Sequence, residues 1–410
     1  MKKLLLVLLI LSLFINHLNA NEKDLNIIQK DKKEYRLLDK ESIQTRQQSQ
    51  KYDWISPIDL SGNIGRNHSF SDENSRNLNN KNTKSASIGF TQSIFESGGI
   101  GFKMDYADNR FKYEMLSWEN QNSQLIYTIY NTLLDIKKLK LEINQNDYRI
   151  VNKDIELIIK KIQYEAGKTD IIELNNAIMS KNLILKEEIA LKNSLKEKEQ
   201  ELAKYTDLKY DEIEILDFQE TNKDIFLDKN YSILEADAKV EMLNSEYKIK
   251  KSQYLPKLSL SAKASYSNQD EKFNSMINDT NKDDATSSGS LILSMPLYDY
   301  TKSSKIQESK IEVLKQKALV NDLKNETAFE YEQIFTKIDT YLKQNETINK
   351  NIKLYEELIG ANKISSEAGM TSKYDLEILE NTKTINEFDI LINKINILQQ
   401  YAKLYFKIKN

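Results

Sequence analysis

Three landmarks occur twice in this chain, in the same order and at nearly one spacing, and this limits the possible folds more than any other feature. Glu165-Ala166-Gly167-Lys168-Thr169 returns as Glu367-Ala368-Gly369-Met370-Thr371, an offset of 369 − 167 = 202 residues. Ser93-Ile94-Phe95-Glu96 is answered by Met295-Pro296-Leu297-Tyr298, where 296 − 94 is again 202. Pro57-Ile58-Asp59-Leu60 is answered by Pro256-Lys257-Leu258-Ser259 at an offset of 199. A period of about half the chain marks a duplicated unit, so whatever one half builds the other builds again.

Each half reads alike. A helical stretch ends at a proline, as Tyr231 to Pro256 does in the second half. Segments of period two follow, the mark of strands with one apolar and one polar face. Leu258, Leu260, Ala262, Ala264 and Tyr266 alternate with Lys257, Ser259, Ser261, Lys263 and Ser265. Leu291 and Leu293 alternate with Ser290 and Ser294, Ile58 and Leu60 with Asp59 and Ser61, Ile88 and Phe90 with Ser87 and Gly89. Between the strands of each pair, Arg66 to Lys84 and Asn268 to Ser288 are rich in Asn, Asp and Ser and are expected to be solvated loops.

Only 10 Gly and 3 Pro punctuate 410 residues, so the remainder must be long helices. Two proline-free patterns run from about Phe102 to Tyr164 and from about Thr301 to Glu367. At 1.5 Å per residue each is a rod of roughly 90–100 Å. Gly167 and Gly369 stand where each rod turns back. Ile136, Ile143, Ile150 and Leu157 recur every seven residues, and Phe388, Leu391, Ile395, Leu398, Ala402 and Tyr405 follow 3-4 spacing. Both are coiled-coil seams. Thr206 to Asn230, acidic and irregular, reads as a linker between the halves.

The same composition removes whole classes of function. With no Cys there is no disulfide, thiolate metal site, Cys nucleophile or lipidated N-terminal Cys. Two His, His17 and His68, leave no basis for a histidine metal cluster or a Ser-His-Asp triad. Lys+Arg 59 against Asp+Glu 62 gives no electrostatic reason for a nucleic-acid partner. Gly167-Lys168-Thr169 imitates the end of a phosphate loop, but the required earlier glycine falls at Ile162. Gly98-Gly99-Ile100-Gly101 imitates a dinucleotide turn, but Met104 stands at the third glycine, and a bend between strand and helix explains it. No enzyme activity, cofactor or metal is expected.

Lys2 and Lys3, the apolar run Leu4 to Ile15 and the small Ala20 form a secretory signal peptide, too short to span a membrane. An exported chain without a later apolar run of spanning length can cross a membrane only with strands. Four strands cannot close a barrel, so several chains would have to pool them, apolar face to lipid and Ser/Lys/Asn face to water.

The order signal, helix, Pro, strand pair, long helix, Gly turn, helix, with everything after the signal doubled, resembles the TolC-type outer-membrane efflux protein family. Tyr254-Leu255-Pro256-Lys257-Leu258-Ser259-Leu260 is similar to that family's lead-in to a barrel strand. Ser294-Met295-Pro296-Leu297-Tyr298-Asp299 and Thr91-Gln92-Ser93-Ile94-Phe95-Glu96 are similar to its strand-to-helix transition. Tyr164, Gly167, Glu173 and Ala177 fit its tip motif, and Gly369 and Asp375 fit in the second half, where Ser366 and Leu379 depart.

The resemblance implies a mainly α protein with a small β part. A duplicated unit of β-hairpin plus long coiled-coil helical hairpin would trimerise into a 12-stranded outer-membrane β-barrel continued by a periplasmic α-helical barrel. The expected divisions are a signal peptide (1–20), an N-terminal helical segment (21–56), a first β-hairpin (57–95), a first helical hairpin (96–205), a linker and helix (206–255), a second β-hairpin (256–297) and a second helical hairpin (298–410). The implied function is a passive exit duct of a tripartite efflux or type I secretion system in the Gram-negative outer membrane. Its implied partners are two more copies in a homotrimer, a periplasmic adaptor (membrane fusion) protein, a proton- or ATP-driven inner-membrane pump and outer-membrane lipid.

Ala166, Gly167, Lys168, Ala368, Gly369 and Met370 would be the adaptor-contact tips, and Glu173 and Asp375 the periplasmic aperture. Leu258, Leu260, Leu291, Leu293, Ile88 and Phe90 would face lipid. The site two after Gly369, where an Arg can sit, is Thr371, which leaves Lys168 or Lys373 as substitute partners for Glu173. Asp375 reads equally as a helix-start carboxylate favoured by the dipole or as one of a ring of acids that selects cations. A periplasmic or secreted structural coiled coil without channel activity is the alternative function.

Overall fold

The structure, a computed structural model, describes residues 25–69, 79–216, 218, 220–272, 280–367, 370 and 372–409. The signal peptide and the tip residues Ala368 and Gly369 lie outside them. After a short 3₁₀ turn come helix α1 (Lys30–Tyr52), strands β1 (Asp59–Ser69) and β2 (Asn79–Phe95), and helices α2 (Gly99–Glu165) and α3 (Ile171–Ala203). The short helix α4 (Lys223–Asp228) then precedes the second set: α5 (Tyr231–Ser252), β3 (Lys257–Lys272), β4 (Thr280–Ser294), α6 (Lys302–Glu367) and α7 (Lys373–Phe406). None of the described helices is long and apolar enough to cross a membrane.

The chain forms two compact units, to both of which α2 and α6 contribute. One unit, residues 41–115 and 236–320, holds the strands. They form one antiparallel sheet in the order β1-β2-β3-β4. The two hairpins are therefore fused through β2 and β3, although more than 150 residues separate these strands in sequence. β1 and β4 are left as open edges.

The strands run further than the alternation foretold. Gly65 to Ser69 pair with Asn79 to Thr83, and Asn268 to Glu271 pair with Thr280 to Asp283, so much of each expected loop is ladder. These rows are polar on both faces, which hides them from a period-two pattern. Antiparallel pairing satisfies the backbone whether or not a face is buried.

The other unit, residues 25–40, 116–235 and 321–409 of those described, is helical. Its helices lie side by side in the order α3, α2, α7, α6. Lys181 and Asp154 link α3 to α2, and Asn146 Nδ2 donates to the Ile184 carbonyl at 3.3 Å. Gln145 Nε2, on α2, donates to Asp389 Oδ1 of α7 at 2.7 Å. Asn393 Nδ2, on α7, donates to Asn345 Oδ1 of α6 at 2.9 Å. Because α2 is flanked by two helices, its buried positions do not follow a single stripe. Ile136 is buried as its seam requires, but Ile143, Ile150 and Leu157 are only half-buried, while Gln145, Asn146, Asn152 and Ile155 are buried.

The segment expected as a linker is anchored. Thr206, Ile213, Phe218 and Phe226 are buried along it. Phe218 packs edge-on to Tyr130 and against Phe406, and Phe226 joins Ile334, Ile338, Leu404 and Ile408 in a cluster. Tyr231 N–H donates to the Lys407 carbonyl, and Lys409 N–H to the Lys229 carbonyl, stitching the segment to the chain's last turn. Widely spaced apolar anchors in an acidic stretch carry no helical or strand period, so the sequence pattern reads them as a tether.

Candidate channel wall and helix-turn sites

The register sorts the sheet into two chemically distinct faces. Leu258 lies opposite Leu293 and Leu260 opposite Leu291. Ile88 lies between Leu60 and Ala264, and Phe90 opposite Ala262. Residues directly opposite share a face, so these apolar side chains form one surface, much of it exposed in the single chain. From Leu258 to Tyr266 the apolar band covers nine residues of β3, within the ~9–11 that a tilted strand needs to cross a bilayer. The opposite face is built of hydroxyls: Ser61 Oγ and Ser87 Oγ are 2.8 Å apart, Thr91 Oγ1 and Ser261 Oγ 3.1 Å, Ser265 Oγ and Thr286 Oγ1 2.7 Å. Water suits that face and lipid does not.

Gln92 breaks the apolar pattern and the structure shows why. Its Nε2 donates to the Trp54 carbonyl at 2.9 Å, and its Oε1 accepts from Ser56 N–H at 2.9 Å. The side chain thus continues the ladder past Pro57, where the backbone has no N–H to offer. Gln92 continues the series Ile88, Phe90 along the strand, and a period-two pattern gives no sign of this role.

The turn from β2 to α2 concentrates strain and burial. Ser97 and Gly98 both have positive φ, at 51° and 87°. A Cβ on Gly99 would stand 2.8 Å from Ser252 Oγ, so the glycine run serves a close approach of α5. Glu96 is buried beside Lys103, 2.9 Å away. Burial alone would raise its pKa, but the Lys103 ammonium, the Ser93 hydroxyl and Lys257 outweigh it and leave the carboxyl below its ordinary value.

At the first helix turn, Gly167 has φ 65° and open space around it. Its N–H donates to the Tyr164 carbonyl, and Lys168 N–H donates to the Gln163 carbonyl at 2.8 Å, the pair of bonds that closes a helix with a left-handed residue. Met370 N–H donates likewise to the Ser365 carbonyl, where 370 − 168 and 365 − 163 are both 202. Asp170 caps α3 by accepting from Glu173 N–H, and Ser372 caps α7 by accepting from Tyr374 N–H at 3.1 Å. Lys168 and Met370 are exposed.

Glu173 and Asp375 hold equivalent places in the first turns of α3 and α7. Lys160 Nζ donates to Glu173 Oε2 at 2.9 Å, so the partner is neither Lys168 nor Lys373 but a lysine one turn back on α2. That pairing lies across the helix hairpin and leaves no trace in the tip motif. Asp375 is exposed, and its N–H donates to the Ser372 carbonyl, the geometry of a helix-start carboxylate. Among the described residues no group of His, Cys, Asp and Glu could hold a metal ion.

Residues 224–403 match the profile of the family described as outer membrane efflux protein. That segment of the chain is similar to the outer membrane efflux proteins. Solved structures extend the likeness beyond the matched segment. The CmeC outer-membrane channel of Campylobacter jejuni superposes with a TM-score of 0.69 at 13% identity, covering 93% of this chain and 86% of that one. VceC of Vibrio cholerae gives 0.70 at 12% identity, covering 93% and 94%. The open state of the MtrE channel of Neisseria gonorrhoeae gives 0.66 at 10%, covering 94% and 88%. At such identities the likeness is one of fold. No curated protein matches by sequence. The efflux-protein fold thus spans both halves, although the family profile reaches only the second.

Proposed function

We propose that this chain is the outer-membrane exit duct of a tripartite efflux or type I secretion system. The observation that carries the reading is the sheet. A four-stranded sheet with one apolar exposed face, one hydroxyl-lined face and two unpaired edges cannot be a finished structure in water. Three copies supply twelve strands, enough to close a barrel. Leu258, Leu260, Leu291, Leu293, Ile88 and Phe90 then meet outer-membrane lipid, and the Ser/Thr face lines the pore. A secreted coiled coil would leave that apolar band exposed to water.

The helical parts lie in the periplasm. The turn at Ala166-Gly167-Lys168 and the matching sequence Ala368-Gly369-Met370 receive a periplasmic adaptor, and an inner-membrane pump drives transport. Glu173 and Asp375 stand at the aperture. The duct performs no chemistry: it conducts what the pump delivers. Membrane fractionation combined with planar-bilayer recording tests this. A heat-modifiable trimer in the outer membrane that gives discrete conductance steps supports it. A soluble protein without conductance overturns it.

A further inference from the structure

We propose that the apolar side of the sheet carries a site for one phosphate-bearing lipid of the outer leaflet, with an acyl chain in a trough bounded by Leu60, Ile88 and Tyr266 and the phosphate on Lys84 and Arg66. The proposal rests on the exit-duct reading in one respect, that this face meets a bilayer.

The trough follows from the cross-strand register. One row on the apolar face holds Leu60, Ile88, Ala264 and Ser287, and the next holds Gly62, Ala86, Tyr266 and Ala285. Leu60 and Ile88 wall the hollow on the side of β1 and β2, and Tyr266 walls it on β3. Ala86, Ala264 and Ala285 leave its floor low. The volume is 460 Å³, within the ~300–1,000 Å³ of small-ligand sites. Hydrocarbon walls of this kind suit an alkyl chain.

One row further along, the chemistry changes. That row reads Ile64, Lys84, Asn268 and Asp283. Lys84 is the next residue on this face beyond Ala86, so it stands at the end of the trough. Arg66 lies one row beyond on β1, diagonal to Lys84, a relation that sets the Cα atoms ~7–8 Å apart. Among the described side chains of this face only Arg66, Lys84 and Asp283 are charged. Charge therefore begins where the apolar band ends, as it must where hydrocarbon gives way to headgroups. Ile64, directly opposite Lys84, is 84% exposed and still apolar, so hydrocarbon and cation meet in one row.

The acid there is engaged and the two cations are not. Asp283 Oδ1 accepts from the Tyr266 hydroxyl at 3.0 Å and from Asn268 Nδ2 at 2.5 Å. It stands on β4, two strands from Lys84. Lys84 and Arg66 are exposed and make no ion pair among the described residues. Their long stems can follow the apolar surface while the charges reach headgroup level. Arg66 can offer a phosphate paired N–H donors, and Lys84 a point charge. A hydrocarbon trough that ends at two adjacent unpaired cations is complementary to an amphiphile with a phosphate. A free anion has no use for the trough, and a neutral lipid leaves the cations unpaired. β2 leads away from this row into α2, so with the helices in the periplasm the site faces the outer leaflet.

Native mass spectrometry of the full-length protein, released from neutral detergent micelles, tests this by counting retained molecules. The probes are phosphatidic acid, diacylglycerol with the same chains, and inorganic phosphate. Phosphatidic acid should be retained at one per copy, and the other two should be lost. Lys84→Gln with Arg66→Gln should weaken its retention several-fold, and so should Ala264→Leu, which fills the trough and leaves the charges in place. Lys263→Gln, which removes a cation from the opposite face, should leave retention unchanged. The site is overturned if the double variant or Ala264→Leu holds phosphatidic acid as the parent does, if Lys263→Gln weakens it as much, or if diacylglycerol or inorganic phosphate is retained equally. Conductance of the parent in a neutral bilayer separates the two readings. A protein that conducts but fails these comparisons keeps the duct and loses the lipid site, and one that neither inserts nor conducts loses both.

Discussion

Gly167 shows how one residue carries the geometry of a hairpin. Its φ of 65° lies in the left-handed region, and nothing surrounds it, so only backbone strain opposes a larger residue. Gly167→Val should destabilise the turn by about 1–2 kcal/mol, and Gly167→Asn by clearly less. Hydrogen exchange at the amides of Ala166 and Lys168 measures the difference, and equal protection in the two variants would refute it. Gly167 was legible in the sequence because a helix must end somewhere and a glycine can take the left-handed conformation at little cost. Lys160 was not legible as the partner of Glu173, since an ion pair across a hairpin needs the hairpin's register, which the sequence does not contain.

Glu330 makes a second residue-scale case. Burial would raise its pKa, but hydrogen bonds from Lys403 and Lys407 outweigh this and hold the carboxyl below its ordinary value. A carboxyl with a lower pKa folded than unfolded adds stability above its unfolded value and loses it as pH falls through the lowered one. Acidification through and below the ordinary carboxylate range should therefore weaken the joint between α6 and the end of α7. Glu330→Gln should cost about 1–3 kcal/mol at neutral pH and flatten that acid limb. A variant whose thermal midpoint follows the same acid profile as the parent would contradict this.

At the scale of elements, the strands test the reading of the faces. Arg at Leu260, on the apolar face, should cost roughly 2–4 kcal/mol at mid-bilayer and cripple assembly, whereas Arg at Ser261, on the hydroxyl face, should be tolerated. Heat-modifiable oligomer on a gel reports both, and equal tolerance would sink the assignment. The alternation made the central rows readable because one face there must leave water. It failed at the outer rows and along residues 206–230 for one physical reason. A ladder can run through residues polar on both faces, and an irregular segment can be fixed by a few distant anchors such as Phe218 and Phe226. In neither case does hydrophobic period reflect structure. The long helices were found from the lack of Gly and Pro, but their seams were simplified. A helix packed on both sides, as α2 is, buries amides such as Gln145 and Asn146 that a two-stranded coiled coil would keep at its rim.

For the whole molecule, the open edges of one sheet are what turn a chain into a part of something larger. If Asp375 comes near a threefold axis, three such carboxylates attract cations. Asp375→Ala should then weaken cation selectivity and any block by divalent cations in planar-bilayer recordings; unchanged selectivity would leave Asp375 as a helix-start carboxylate only. The central claim, that a hydroxyl-lined sheet face meets water inside a bilayer while the leucine face meets lipid, is tested most directly by thiol labelling. Single variants Ser261→Cys and Leu260→Cys, reconstituted into liposomes, are exposed to a membrane-impermeant maleimide. Ser261→Cys should label fast and Leu260→Cys should stay unlabelled. Equal labelling at the two neighbouring positions would contradict the channel.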